Sequence, residues 1–160
     1  MTGSRFGHHE LPPGVEDVAR RVIGCAMEVH RTLGPGLIER VYEEALVHEL
    51  ETAGLAVASQ VEIILPYKRV RIGGQRLDLV VEDLVIVELK SIQAILDVHR
   101  AELLSDLRAA EKPVGLLLNF NAILFKDAAV RILNERWAQT DGQHTPLSAS
   151  QTSRSWRPSR

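Results

Sequence analysis

Three charged side chains break two apolar runs within residues 76–90: Asp78 in the first run, Glu88 and Lys90 at the end of the second. A charge on a buried strand is costly unless it is paired or ligates a metal. Glu88 and Lys90 are two apart, so on a strand they share a face while Leu89 points the other way. If Asp78 joins them, two carboxylates and an ammonium converge. Hard cations such as Mg²⁺ or Mn²⁺ bind through one or two carboxylates and keep several waters, which suits Asp78 and Glu88 as ligands. Lys90 would then position an attacking water or stabilise charge developing on a phosphate. The same residues also fit a plainer arrangement, a buried Glu88–Lys90 ion pair with Asp78 at a strand edge. The residues alone leave both open.

The connection between the runs decides whether Asp78 takes part. Residues 77–81 and 84–89 are rich in Val, Ile and Leu, which favours strand over helix. A two-residue turn at Glu82 and Asp83 would set Asp78 opposite Val87, on the wrong face. A three-residue loop over 82–84 would set it opposite Glu88, and this odd connection is the one we expect. Upstream, residues 57–65 and 69–72 read as strands joined through 66–68, and Gly73-Gly74 reads as a turn into the Asp78 strand. Short links of this kind give an antiparallel meander. Residues 114–120 form a continuous apolar run between Pro113 and Asn121, a central strand reached by a helical crossover. Residues 130–133 complete the sheet as an edge strand.

Helices must carry the remaining chemistry. Over residues 13–33, Val15, Val18, Val22, Cys25, Ala26, Val29 and Leu33 make one apolar face, with Cys25 a small core residue rather than a nucleophile. After Gly34-Pro35-Gly36 a second helix spans 37–53, with Leu37, Val41, Leu46 and Leu50 on its buried side, and Gly54 stops it. Glu39, Tyr42 and Glu43 share a face of that helix. Glu39 can reach the metal site as a third carboxylate, and Tyr42 can orient it or touch substrate. Alternatively, Glu39 only complements the helix N-terminus and Tyr42 packs with its hydroxyl wet. A third helix over 97–110 uses Leu103, Leu104 and Leu107 as its core. The order αα-ββββ-α-ββ gives an α/β domain of the α+β kind, a mixed sheet flanked by helices. It occupies residues 13–137, between a flexible arm at 1–12 and a disordered, Ser-, Thr- and Gln-rich tail at 138–160.

Asp78 followed, after nine residues, by Glu88-Leu89-Lys90 resembles the signature of the PD-(D/E)XK nuclease superfamily. The stretch from Gly36 through Glu39 to Tyr42 resembles the motif of the GxxExxY protein family, a branch of that superfamily. The similarity covers about residues 18–133. It implies a restriction-endonuclease-like fold and metal-dependent hydrolysis of nucleic-acid phosphodiesters, and the expected partner is a nucleic acid, DNA sooner than RNA. Asp78, Glu88 and the Leu89 carbonyl would hold Mg²⁺ or Mn²⁺, Glu39 would support the metal, and Lys90 would assist the water. Tyr42, His99, Glu102 and Arg76 would lie toward the substrate. Where many relatives carry a glutamine and a tyrosine on the third helix, this chain has Glu102 and Asp106. These either recruit a further cation or weaken phosphate binding, unless they sit on the solvent face near Arg108. Many nucleases of this fold pair two sites, so a homodimer is also implied.

Composition tempers the nuclease reading. The net charge is −2; the four arginines after residue 133, set against Glu135 and Asp141, leave residues 1–133 with 15 basic and 19 acidic side chains. Proteins that hold long duplexes nonspecifically are usually basic. Lys68, Arg69, Arg71 and Arg76 provide one local concentration, or merely a solvated edge hairpin. A catalytically inactive nuclease-fold domain that binds nucleic acid or a protein partner is therefore the alternative. With one cysteine, no apolar run of membrane-spanning length and no secretory pattern at the start, a cytoplasmic protein with no disulfide is expected.

Overall fold

The structure, a computed structural model, describes residues 11–137. The tail expected at 138–160 and most of the arm at 1–12 lie outside the described residues. Two helices, α1 (Val15–Leu33) and α2 (Glu39–Thr52), precede three strands, β1 (Val57–Tyr67), β2 (Val70–Val81) and β3 (Val85–Lys90). Helix α3 (Asp97–Ala109) then leads to β4 (Val114–Asn119), and a short 3₁₀ turn (Phe125–Asp127) leads to β5 (Ala129–Leu133). The sheet runs in chain order from β1 to β5, antiparallel except for the parallel β3–β4 pair that the α3 crossover joins. No described helix is long and apolar enough to cross a membrane.

Each face of the sheet has its own core. Leu79, Val81, Val87, Leu89 and Leu118 meet Val22, Val29, Leu46 and Leu50 of α1 and α2. Val61, Ile63, Val80, Ile86 and Leu117 meet Leu103 and Leu107 of α3 on the other side. β4 is buried along its whole length, as its unbroken apolar run requires. Gly115 permits the tight seat of α3: a Cβ there would come within 2.8 Å of the Leu103 side chain.

Two expectations are corrected. The meander has three strands, not four, because Gly73-Gly74 lies inside β2 rather than in a turn. Two residues, Gly73 and Gly74, oppose Ile64 alone, and Gly74 takes a left-handed φ of 101°, so the pair absorbs an extra residue as a bulge. The true turn is Lys68-Arg69, between Tyr67 and Val70. Leu37 and Val41 do not line the core; both are exposed, and Tyr42 fills the interior in their place. Helix α2 starts two residues later than expected, and its buried stripe is Tyr42, Leu46 and Leu50, each four residues from the next.

Candidate active centre

The β2–β3 ladder pairs Leu79 with Val87, Val80 with Ile86 and Val81 with Val85. The loop is thus the three residues 82–84, with Glu82 and Asp83 both at left-handed φ (53° and 56°). One further step along this register sets Asp78 opposite Glu88. The two strands part there: instead of a ladder bond, the Leu89 N–H donates to Asp78 Oδ2 at 2.8 Å. On β1 the ladder also skips Gln60, the residue level with Asp78, which takes a φ of 53°. Side-chain alternation slips at the same level, since Leu79 packs toward α1 and α2 whereas Leu77 packs with α3. A strand fork therefore frees the Asp78 carboxylate from a purely structural place.

Glu88 and Lys90 share the α3 face with Ile86. Lys90 Nζ donates to Glu88 Oε1 at 3.2 Å and stands 3.8 Å from Glu102 Oε2. Glu88 Oε2 is buried without a hydrogen-bond partner. Burial, then the nearby Asp78 charge, push the Glu88 carboxyl up to about 7 despite the pull of Lys90. Burial likewise raises Asp78, against the lowering effect of the Leu89 N–H and Lys90. For Lys90, burial works against the charge, but Glu88, Glu102 and Glu39 outweigh it and the ammonium is held above its usual range.

Asp106 departs from the solvent-face alternative. It is buried, 5% exposed, and accepts from Gln75 Nε2 at 2.8 Å. Burial raises its carboxyl, with Glu102 and Asp78 adding to the shift against the Gln75 hydrogen bond. Glu102 lies at the exposed rim beside Lys90. Of the two α3 carboxylates, Asp106 is thus turned inward, whereas Glu102 keeps to the solvent side.

The remaining residues sort by what they touch. Glu39 Oε2 accepts from the Ser91 N–H at 3.1 Å, and Ser91 Oγ donates to the Leu37 carbonyl at 2.6 Å, so the start of α2 is clasped to the residue after Lys90. Tyr42 does not reach the site. Its ring stacks on Phe120 with centroids 4.7 Å apart. Its hydroxyl donates to the Gly34 carbonyl at 2.5 Å and accepts from the Leu37 N–H at 3.1 Å. Neither a substrate contact nor a wet hydroxyl describes it; it fixes the loop that presents Leu37 and Glu39. His99 spends Nδ1 on the Leu96 N–H, at 3.0 Å, capping α3. Arg76 is exposed on β2, opposite Glu62 in the ladder.

Glu43, on the Glu39 face of α2, joins the site although its position alone assigns it no role. Gln60 Nε2 donates to both of its carboxylate oxygens, at 3.1 and 3.0 Å. Burial raises its carboxyl, and the Asp78 charge contributes. Its signal was present: it stands four residues beyond Glu39, one turn further along the same face.

A divalent cation fits Asp78 and Glu88. Glu88 Oε2 lacks a partner, and both carboxyls are strained upward in a way that a nearby positive charge would relieve. Among the described residues no group of three or more carboxylate, histidine or cysteine side chains is arranged around a single cation position. Two carboxylates suffice for a cation that keeps most of its waters.

An α+β domain with a mixed sheet between helices, and with acid, acid and lysine gathered where β2 and β3 part, has the build of a restriction-endonuclease-like domain. A family profile of the PD-(D/E)XK nuclease superfamily matches residues 16–132. The chain belongs to that superfamily. No curated protein and no solved structure matches it significantly.

Proposed function

We propose that the protein is a metal-dependent nuclease that hydrolyses nucleic-acid phosphodiester bonds, with DNA rather than RNA the expected partner, and that it belongs to the GxxExxY branch. The observation that carries this reading is Glu88: a half-buried carboxylate with one buried, orphaned oxygen, level with Asp78 and hydrogen-bonded to Lys90. Asp78 and Glu88, with the Leu89 carbonyl, would hold Mg²⁺ or Mn²⁺, which when bound supplies Lewis acidity and lowers the pKa of a coordinated water. Lys90 keeps its proton and places a fixed positive charge beside the carboxylates, suited to a phosphate oxygen whose charge grows during reaction. Glu39 holds the Ser91 amide and thereby the end of β3. Glu102 borders the approach beside Lys90, His99 would act through the N-terminus of α3, and Arg76 would meet substrate from the exposed hairpin.

The test is cleavage of end-labelled single- and double-stranded DNA and RNA with Mg²⁺, Mn²⁺ or EDTA. Metal-dependent cutting that disappears in Lys90→Ala is the expected result. A folded protein that cuts none of these substrates overturns it. The second reading, an inactive nuclease-fold domain that binds without cutting, draws support from the buried Asp106 carboxylate beside the site and from the acidic balance of residues 1–133.

A further inference from the structure

The long hairpin of β1 and β2 packs its base on α3 through Val61, Ile63 and Leu77, and its outer end projects from the sheet. β2 pairs with β3 only over Leu79, Val80 and Val81 and elsewhere with β1 alone, and residues 66–76 are all exposed. From Leu65 to Lys68 the exposed end of the ribbon extends by roughly 10 Å at the usual rise of a strand. Lys68, Arg69, Arg71 and Arg76 lie on it, and no acidic residue occurs between Glu62 and Asp78. The concentration is notable in a domain that is otherwise acidic. Tyr67 pairs with Val70 and Leu65 with Ile72, which puts an apolar row on one ribbon face, while Pro66 and Arg71 take the other. Tyr67, Val70 and Ile72 are 57%, 55% and 50% exposed. At the tip, Lys68 adopts a φ of 52°, a conformation glycine would take more cheaply, and its ammonium lies 5.4 Å from the Tyr67 ring centre.

We propose that this ribbon is an anchoring arm for duplex DNA, set into the major groove so that the backbone beyond it runs toward Asp78 and Glu88. The inference rests on the nuclease reading for its choice of nucleic acid as ligand. A two-stranded ribbon fits the B-form major groove, where apolar side chains meet thymine methyls and arginines meet guanine edges or phosphates. The deep, narrow major groove of A-form RNA excludes it. Charge complementarity selects the polyanion over a second copy of the chain, because two such tips would bring like charges together.

The experiment is fluorescence anisotropy of a short labelled duplex in EDTA, where no cutting occurs, over a range of salt. Replacing Lys68, Arg69 and Arg71 together by glutamine alters only exposed side chains. The variant is expected to bind at least about tenfold more weakly, with the log–log salt slope reduced by about 2.7. Replacing Arg20, Arg31 and Arg40 by glutamine is expected to leave affinity within about twofold, since these cations already pair with neighbouring acids. Equal loss in both variants, no loss in the first, or no duplex binding by the unaltered protein overturns the arm. Equal competition by single-stranded DNA or duplex RNA overturns the groove assignment. Ribbon-dependent binding by a protein that cuts nothing supports the arm and removes the nuclease reading instead.

Discussion

Two lysines drawn into the protein near the two ends of β3 make opposite use of the same chemistry. Lys112, just before β4, is buried and donates to Asp83 Oδ1 at 2.8 Å, while Asp83 keeps about half of its side chain in water (48% exposed). That pair is complete: one ammonium, one carboxylate, and solvent for the remaining lone pairs. Lys90, at the other end, meets Glu88 at 3.2 Å with Glu102 beyond it, and one Glu88 oxygen is left buried without a partner. Carboxylates there outnumber ammonium groups. A closed pair is a structural device; a pair crowded with excess acid has the electrostatics that the proposed cation would relieve.

The sharpest way to break this contrast is to remove each lysine. Lys90→Ala should reduce nucleic-acid cleavage by at least about 10²-fold while the unfolding midpoint barely moves. Lys112→Ala should instead cost about 2 kcal/mol of stability in chemical denaturation, with cleavage per folded molecule unchanged. An unfolded Lys90 variant, or a folded Lys112 variant that no longer cuts, would erase the distinction.

Proton linkage probes the same difference without touching either lysine. Burial lets the folded protein keep the Glu88 proton until about 7, whereas a freely solvated glutamate loses it near 4.5. The folded state therefore binds more protons between these values, so in EDTA this group lowers stability as pH rises from about 4.5 to 7 and adds no further loss above that. Glu88→Gln, which mimics the protonated acid, should flatten this part of the stability profile measured by denaturation at pH 5 and pH 8, and should abolish cutting. An unchanged pH slope would show that Glu88 ionises as freely as in the unfolded chain.

Smaller effects mark the border of the site. Tyr42→Phe strands the Gly34 carbonyl and the Leu37 N–H, and should cost about 1–2 kcal/mol of stability with only a few-fold loss of rate. A loss of rate as deep as that of Lys90→Ala, in a variant still folded, would return Tyr42 to the chemistry. Glu102→Gln, at the exposed rim 3.8 Å from Lys90, should shift stability by less than about 1 kcal/mol.

Local pattern made much of the sheet legible, including the register, because strand period and the choice between two and three loop residues leave few alternatives around Asp78 and Glu88. Gly73-Gly74 misled because glycine pairs mark turns and bulges alike, and only the partner strand tells them apart. Tyr42 misled because a hydroxyl within a motif can serve the backbone as well as a substrate, and the Gly34–Leu37 loop that claims it has no signature in sequence. Asp106 was legible in principle. It lies three residues from Leu103 and beside Leu107, on the inward side of α3, but a carboxylate is ordinarily assigned to water until its environment is seen.

The fork between β2 and β3 carries a practical consequence. Because the Leu89 N–H rests on a titratable side chain rather than on a neighbouring strand, its amide resonance is a built-in reporter. Its chemical shift should follow the charge on Asp78, moving as the carboxylate is protonated or takes up a cation, while amides within the β3–β4 ladder stay still. One backbone signal would then read the state of the site in the intact protein, before any bond is cut.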